Sequence, residues 1–268
     1  YYPHNYDFMA FAAAMAGMET RAIEAADRVA ELVPTEALGQ PGLDFLQGHA
    51  TRHLQMRVRF ERWEEILGAA APAPEHLHAR AIWHWARRRA RLGRGELDPA
   101  RDELRGVEAV LADPAIEGIR MEFNGSPTIL SIARANLAGW IALGAGRTEE
   151  GLEHLREAVR VESGMLYGEP PEWSIPARQD LGAALLEAGR FAEAERVFRA
   201  ELDLFRENGW SLAGLARALR GLGRDAEAAA VEVRFERAWA EADPSGPPVP
   251  DSADPTASAP PGRPAPRP

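Results

Sequence analysis

The chain has 268 residues, 46% of them hydrophobic, and carries 41 acidic against 31 basic side chains for a net charge of -10. That is enough apolar material for one large domain or two small ones, and the acidity argues against a general nucleic-acid or anionic-membrane surface. There is no cysteine and every basic residue is Arg, which excludes disulfides, thiolate nucleophiles, Cys-based zinc sites, Schiff bases and P-loop lysines.

In chain order the apolar periodicity predicts six amphipathic helical hairpins, starting near residues 3, 47, 81, 132, 175 and 209. Each predicted hairpin turns at a Gly that is followed five positions later by a small residue. The pairs are Gly17 with Ala22, Gly95 with Ala100, Gly146 with Gly151, Gly189 with Ala194 and Gly223 with Ala228. A weaker copy places Glu61 and Ile66 in the same positions, around RFERWEEIL. The ruler is clearest at the end, where LGAALLEAGRFAEAERVF from Leu181 is echoed by LARALRGLGRDAEAAAVE from Leu215 at an offset of 34. Glu61 to Gly95 is again 34, while the intervals of 44, 51 and 43 each contain one unit plus an insertion. Such a period fixes the architecture, because a lone hairpin cannot bury its apolar face except against a neighbour.

Between the fourth and fifth hairpins the insertion is YGEPPEWSI, ended by Pro176, a residue suited to the first turn of a helix because its missing N–H would be unpaired there anyway. Tyr167 and Trp173 are expected to fold over an edge of the stack, either capping a gap between hairpins or forming a lip over a ligand. The last 26 residues, from Asp243, include ten prolines and almost nothing to bury, so a disordered tail is expected over 243–268.

The 34-residue unit resembles the tetratricopeptide repeat. Leu181, Gly182, Ala194 and Phe198 fall on that unit's positions 7, 8, 20 and 24, and Ala10, Ala22 and Pro34 fall on 8, 20 and 32. The runs YYPHNYDF, EPPEWSIPARQDLGAALL and NGWSLAGLARAL are similar to segments of a bacterial group of tetratricopeptide-repeat proteins without an assigned activity. That group is expected to carry His at the position of Asp7, Tyr at those of Ser174 and Ile175, and Gly at that of Glu61. The resemblance implies an all-α solenoid over 1–242 and further repeats ahead of Tyr1.

It also implies a concave face made by the first helix of each hairpin. In that register the face carries His4, Asp7 and Phe11, then Thr51 and Gln55, Trp85 and Arg89, Asn136 and Trp140, Gln179, and finally Trp210, Ala213, Arg217 and Arg220. Aromatic area mixed with amides and arginines is what a peptide groove needs. The candidate ligand-binding residues are therefore His4, Asp7, Trp85, Arg89, Asn136, Trp140, Gln179, Trp210 and Arg217, joined by Trp173 and Arg178 from the inserted loop. The Lys and Asn positions that some tetratricopeptide proteins use to clamp a C-terminal carboxylate are Asp7 and Phe11 here, so that specificity is not expected.

Chemistry finds less support. His49 and His53 share a helical face, and His4 lies near Asp7, but HATRH lacks the Glu of a zinc-hydrolase motif and no metal or cofactor is expected. There is neither a nucleophile elbow nor a Gly-rich phosphate loop, so no catalytic residues are assigned and the chain is read as non-enzymatic. The arginines from Arg87 to Arg101 alternate with Asp98, Asp102 and Glu103, the pattern of an ion-paired helix surface. The expected function is a protein-protein interaction module of the cytoplasm that binds a peptide segment or partner protein, with no nucleic acid and no membrane. The alternatives are a small-ligand or metal site under the 167–175 loop with His4, Trp173, Arg178 and Trp210, an accessory region of a larger enzyme or regulator, and self-association through an unmated end of the stack.

Overall fold

Six backbone positions punctuate the chain. Gly17, Gly95, Gly146, Gly189 and Gly223 all adopt left-handed conformations with φ between 69° and 76°, and Glu61 joins them at 57°. These are the six turn positions read from the sequence, and only glycine reaches that region without a Cβ clash. Each closes an antiparallel pair of helices. The residues five positions on that the structure describes, Ala22, Ile66, Gly151, Ala194 and Ala228, are all buried, because the second helix must approach the first closely at that point.

The computed structural model describes residues 2–243, and the side chains of all of these but 2 and 97–101. The Pro-rich segment from residue 244 onward lies outside the described residues. Among those described there are thirteen α-helices and no β-strand, only an isolated bridge between Arg120 and Gly125. The first hairpin is α1 (Tyr2–Met15) with α2 (Glu19–Leu32). The second is built from the short pieces α3 (Leu46–Ala50) and α4 (Arg52–Arg59) with α5 (Trp63–Gly68). Then come α6 (Leu77–Gly93) with α7 (Leu97–Ala112), and α8 (Ser126–Gly144) with α9 (Thr148–Ser163). The last two pairs are α10 (Ala177–Glu187) with α11 (Phe191–Leu204), and α12 (Gly209–Gly221) with α13 (Asp225–Ala238). Each hairpin packs on the next, its second helix against the following first helix, and successive first helices also touch one another.

One side chain shows how the period is enforced. Phe198 of α11, almost fully buried, lies between Gly182 of α10 and Gly214 of α12, where an added Cβ would stand 2.4 Å and 2.2 Å from its ring. A phenyl burial of this kind contributes about 2 to 3 kcal/mol, and the two glycines provide the room for it.

The last hairpin returns to the first. Trp239 rests on the turn at Gly17 and on Gly209, stacks with Phe235 at 5.4 Å and meets Trp210 edge-on at 5.4 Å. The Trp210 indole N–H donates to Ala14 O at 2.8 Å, and Phe11 meets Phe205 at 5.7 Å. Asp243, which composition assigns to the tail, donates its N–H to Gly17 O and accepts from Thr20 N at 2.6 Å. Asp243 therefore packs with the helical region, one residue past the boundary at 242. The turn of the first hairpin is covered by the last. No described helix is long and apolar enough to cross a membrane.

Candidate functional site

The first helices of the hairpins carry their polar residues inward, where two knots of hydrogen bonds form. At one centre is Asp180, in the first turn of α10. Its carboxylate accepts from Asn136 Nδ2 at 2.8 Å, Trp140 Nε1 at 3.0 Å and Arg89 Nη1 at 3.2 Å. Asn136 Oδ1 in turn accepts from Trp85 Nε1 at 3.2 Å, and the Arg89 guanidinium lies 5.1 Å from the Trp140 ring. Four expected groove residues, Trp85, Arg89, Asn136 and Trp140, thus meet around one carboxylate.

The second knot centres on Asp7 of α1, which is fully buried. Arg52 of α4 grips it with Nε and with Nη2 at 3.0 Å, and His49 Nδ1 lies at 3.2 Å. Burial pushes the Asp7 carboxyl up, but Arg52 and the hydrogen bond with His49 outweigh it and hold the group below its ordinary range. The other ring nitrogen of His49 is 3.2 Å from Glu122, so the imidazole is clamped between two carboxylates. The nearby buried Ser126 hydroxyl is 2.7 Å from a different imidazole, His78, which burial, aided by Arg52, depresses to about 3 and keeps neutral. Hydroxyl and Asp–His pair are engaged separately, and no nucleophile faces His49 among the described residues.

Between these knots lies the inserted loop. Arg52 Nη1 donates to Pro171 O at 3.4 Å and to Gln55 Oε1 at 3.2 Å; Gln55 Oε1 also accepts from the Ser174 backbone N–H at 3.3 Å and from its hydroxyl. Trp173 is 3% exposed and its ring meets Trp85 edge-on at 4.9 Å. The segment Pro170–Ser174 therefore packs against the first helices α4 and α6, held at its backbone by Arg52 and Gln55 and anchored by its indole. Its exit is fixed by Glu162, which accepts from the Ala177 N–H at 3.0 Å at the start of α10.

A third group surrounds Glu201 of α11, which is fully buried with neither oxygen meeting a donor. Burial pushes its carboxyl up to about 7 against the pull of Arg178 and Arg59. Gln179, within hydrogen-bonding reach, has an Oε1 with no donor, while its amide nitrogen donates to Asn208 Oδ1 at 3.3 Å. The interaction with Gln179 also favours the anion, so burial alone raises this carboxyl. Burial and the nearby Glu201 likewise push Glu162 up to about 8.

The remaining expected residues are dispersed. His4 is exposed with its ring 4.8 Å from Phe8; Arg178 donates to Ser163 Oγ at 2.9 Å; Trp210 carries the Arg59 guanidinium 4.2 Å from its ring; Arg217 is exposed on α12. His4, Trp173, Arg178 and Trp210 share no partner, so the small-ligand constellation is not assembled. His53 is tied to Ala50 O at 2.9 Å rather than facing His49, and no described group of three or more His, Asp and Glu is placed to hold a metal ion. The arginines of α6 are engaged, Arg87 with Glu103, Arg91 with Glu96, and Arg94 with Glu64 and Glu96.

Sequence reasoning missed Asp180, Arg52 and Glu201. Asp180 offered one signal, a carboxylate adjoining the apolar run Leu181 to Leu186, but the register implied by the repeat selected its neighbour Gln179. Compared with family models and with curated proteins, the sequence finds no match.

Proposed function

We propose that the chain is a tetratricopeptide-like α-solenoid acting as a non-enzymatic interaction module whose concave groove holds an extended peptide segment. The observation that carries this reading is Pro170–Ser174 packing against α4 and α6, with a main-chain carbonyl on Arg52, a backbone N–H on Gln55 and an indole against Trp85. Main-chain hydrogen bonds plus one aromatic anchor are how extended segments are recognised by protein surfaces in general. Here the occupant is supplied by the chain itself. The register of six hairpins and the contacts between successive first helices support the solenoid reading.

The test vacates the anchor and refills it. Trp173→Ala is compared with the full chain for rescue of its melting temperature by two probes, free indole and a blocked hexapeptide of residues 169–174. Stabilisation of the variant by the hexapeptide at concentrations where indole does nothing supports a groove that reads a peptide. Equal rescue by indole would mean that Trp173 fills a hole in an ordinary core, and the reading fails.

A further inference from the structure

A second surface adjoins the loop and the Asp7 knot. The chain turns back on itself between residues 119 and 126, where Met121 N donates to Asn124 O at 2.9 Å and Ser126 N to Ile119 O at 2.9 Å. Beside this turn opens a cleft of about 600 Å³ lined by Gly42, Asp44, Phe45, Arg120, Met121 and Glu122, with Gly118 at its edge. Against the other side of the turn runs an apolar ridge. Phe123 is 43% exposed, Leu166 65% and Tyr167 79%.

This exposure is built rather than frayed. Asn124 donates from Nδ2 to Leu166 O at 3.1 Å and accepts the Leu166 N–H at 2.8 Å, tying the two segments together. Glu172 accepts from the backbone N–H groups of Phe123 at 2.8 Å and Asn124 at 3.3 Å, and from Asn124 Nδ2. The Phe123 ring covers Gly168, where a Cβ would stand 2.8 Å away. The buried Asn124 and the half-buried Glu172 thus fix the backbone that presents three large apolar side chains to solvent. Rigid aromatic and aliphatic anchors beside a cleft are the features of binding hot spots, since little ordering remains to be done on association.

The charges around the ridge select a partner. Asp44 and Glu122 line the cleft, and Glu169 takes the Tyr167 hydroxyl at the ridge's far end. The cation at the cleft, Arg120, is turned onto Phe123 O at 3.1 Å, within its own turn. The chain as a whole carries -10. We infer that the ridge of Phe123, Leu166 and Tyr167 with the adjoining Asp44–Glu122 cleft docks a basic segment of a partner protein that carries bulky apolar side chains between its arginines or lysines. The apolar side chains cover the ridge and enter the cleft between Phe45 and Met121, while the cations meet Asp44, Glu122 and Glu169. This surface adjoins the groove through Glu122 and Glu172, but it is read by its own substitutions and probes, which leave the Trp173 anchor in place.

The probes are three fluorescein-labelled dodecapeptides, Arg-Leu repeats, Glu-Leu repeats and Arg-Gly repeats, titrated by anisotropy against the full chain. The Arg-Leu peptide is expected to bind at least about tenfold more tightly than either of the others. Leu166→Ser with Tyr167→Ser is expected to weaken it by about tenfold or more, and Glu122→Gln to weaken it less while reducing its salt dependence. The ridge side chains are exposed, so circular dichroism and melting temperature should match wild type and separate loss of binding from loss of fold. Equal binding of Arg-Gly and Arg-Leu peptides, or binding indifferent to the ridge substitutions, overturns the inference. So does a wild-type chain that sediments as a dimer, becomes a monomer on ridge substitution and binds none of the peptides, because the occupant is then a second copy.

Discussion

Glu61 shows what a single backbone angle demands. It holds φ at 57° where the other five hairpin turns have glycine, and an L-residue with a Cβ costs about 1 kcal/mol or more in that region. Glycine removes the clash but loses more entropy on folding, so Glu61→Gly is expected to raise stability by up to about 1 kcal/mol, read as a higher urea midpoint. A lower midpoint would show that the Glu61 side chain contributes more than its strain costs. Trp173 makes a different argument. Its ring is buried but its indole N–H finds no acceptor. Trp173→Ala is expected to cost about 3 to 5 kcal/mol through the cavity left behind, while Trp173→Phe, which deletes the unpaired donor and keeps most of the ring, should cost markedly less. Equal losses in chemical denaturation would mean that the N–H has a partner after all.

At the scale of the element, the pairing of adjacent hairpins depends on positions where a side chain of one helix needs bare backbone on its neighbours. Phe198 is wedged between Gly182 and Gly214, so Gly182→Ala and Gly214→Ala should each lower the melting temperature despite alanine's better helix propensity. Gly68 is the control, because a Cβ there meets nothing within 4 Å. Gly68→Ala, on α5, should be neutral or stabilising. If all three substitutions behave alike, the helix-to-helix approach is not what the glycines provide.

For the whole molecule, two long-range couplings follow. Glu201 and Glu162 titrate near 4.5 when unfolded but at about 7 and about 8 when folded, so between those values the folded state holds more protons than the unfolded one. Their contribution to stability falls as pH rises from about 4.5 to about 8, but His78, depressed to about 3, opposes it up to the ordinary imidazole value of 6.5, so the net decline lies between about 6.5 and 8. Asp7 and Glu103, held below their ordinary range, act in the opposite sense and withdraw stability only as pH falls further. The melting temperature is expected to peak on the acid side of neutrality, and Glu201→Gln to flatten its decline between about pH 6.5 and 8. A wild-type profile that rises across that window would refute the assignment. The second coupling is closure. Trp239→Ala removes the ring that sits against both Gly17 and Gly209, and is expected to lower the melting temperature and enlarge the radius of gyration in small-angle scattering as the last hairpin leaves the first. Truncation after Asp243 keeps the contacts to Gly17 and Thr20 and should leave the melting temperature unchanged.

The sequence by itself determined the helices, the six turn positions and the small residues behind them. These are local or nearest-neighbour requirements: a left-handed turn wants glycine, a close helix pair wants a small side chain, and both recur at the repeat spacing whatever lies further away. The register that the tetratricopeptide resemblance implies also singled out Trp85, Arg89, Asn136 and Trp140, which meet around Asp180. Only the tertiary structure decided what those residues meet. Asp180 gathers groups contributed by two other hairpins, Asp7 and Arg52 pair between α1 and α4, and the Glu–Pro–Pro–Glu–Trp loop packs against Arg52, Gln55 and Trp85. The return of Trp239 to Gly17 depends on the same thing, the accumulated rotation from one hairpin to the next. Small angular differences at each interface add over six units, and no local pattern of residues encodes their sum.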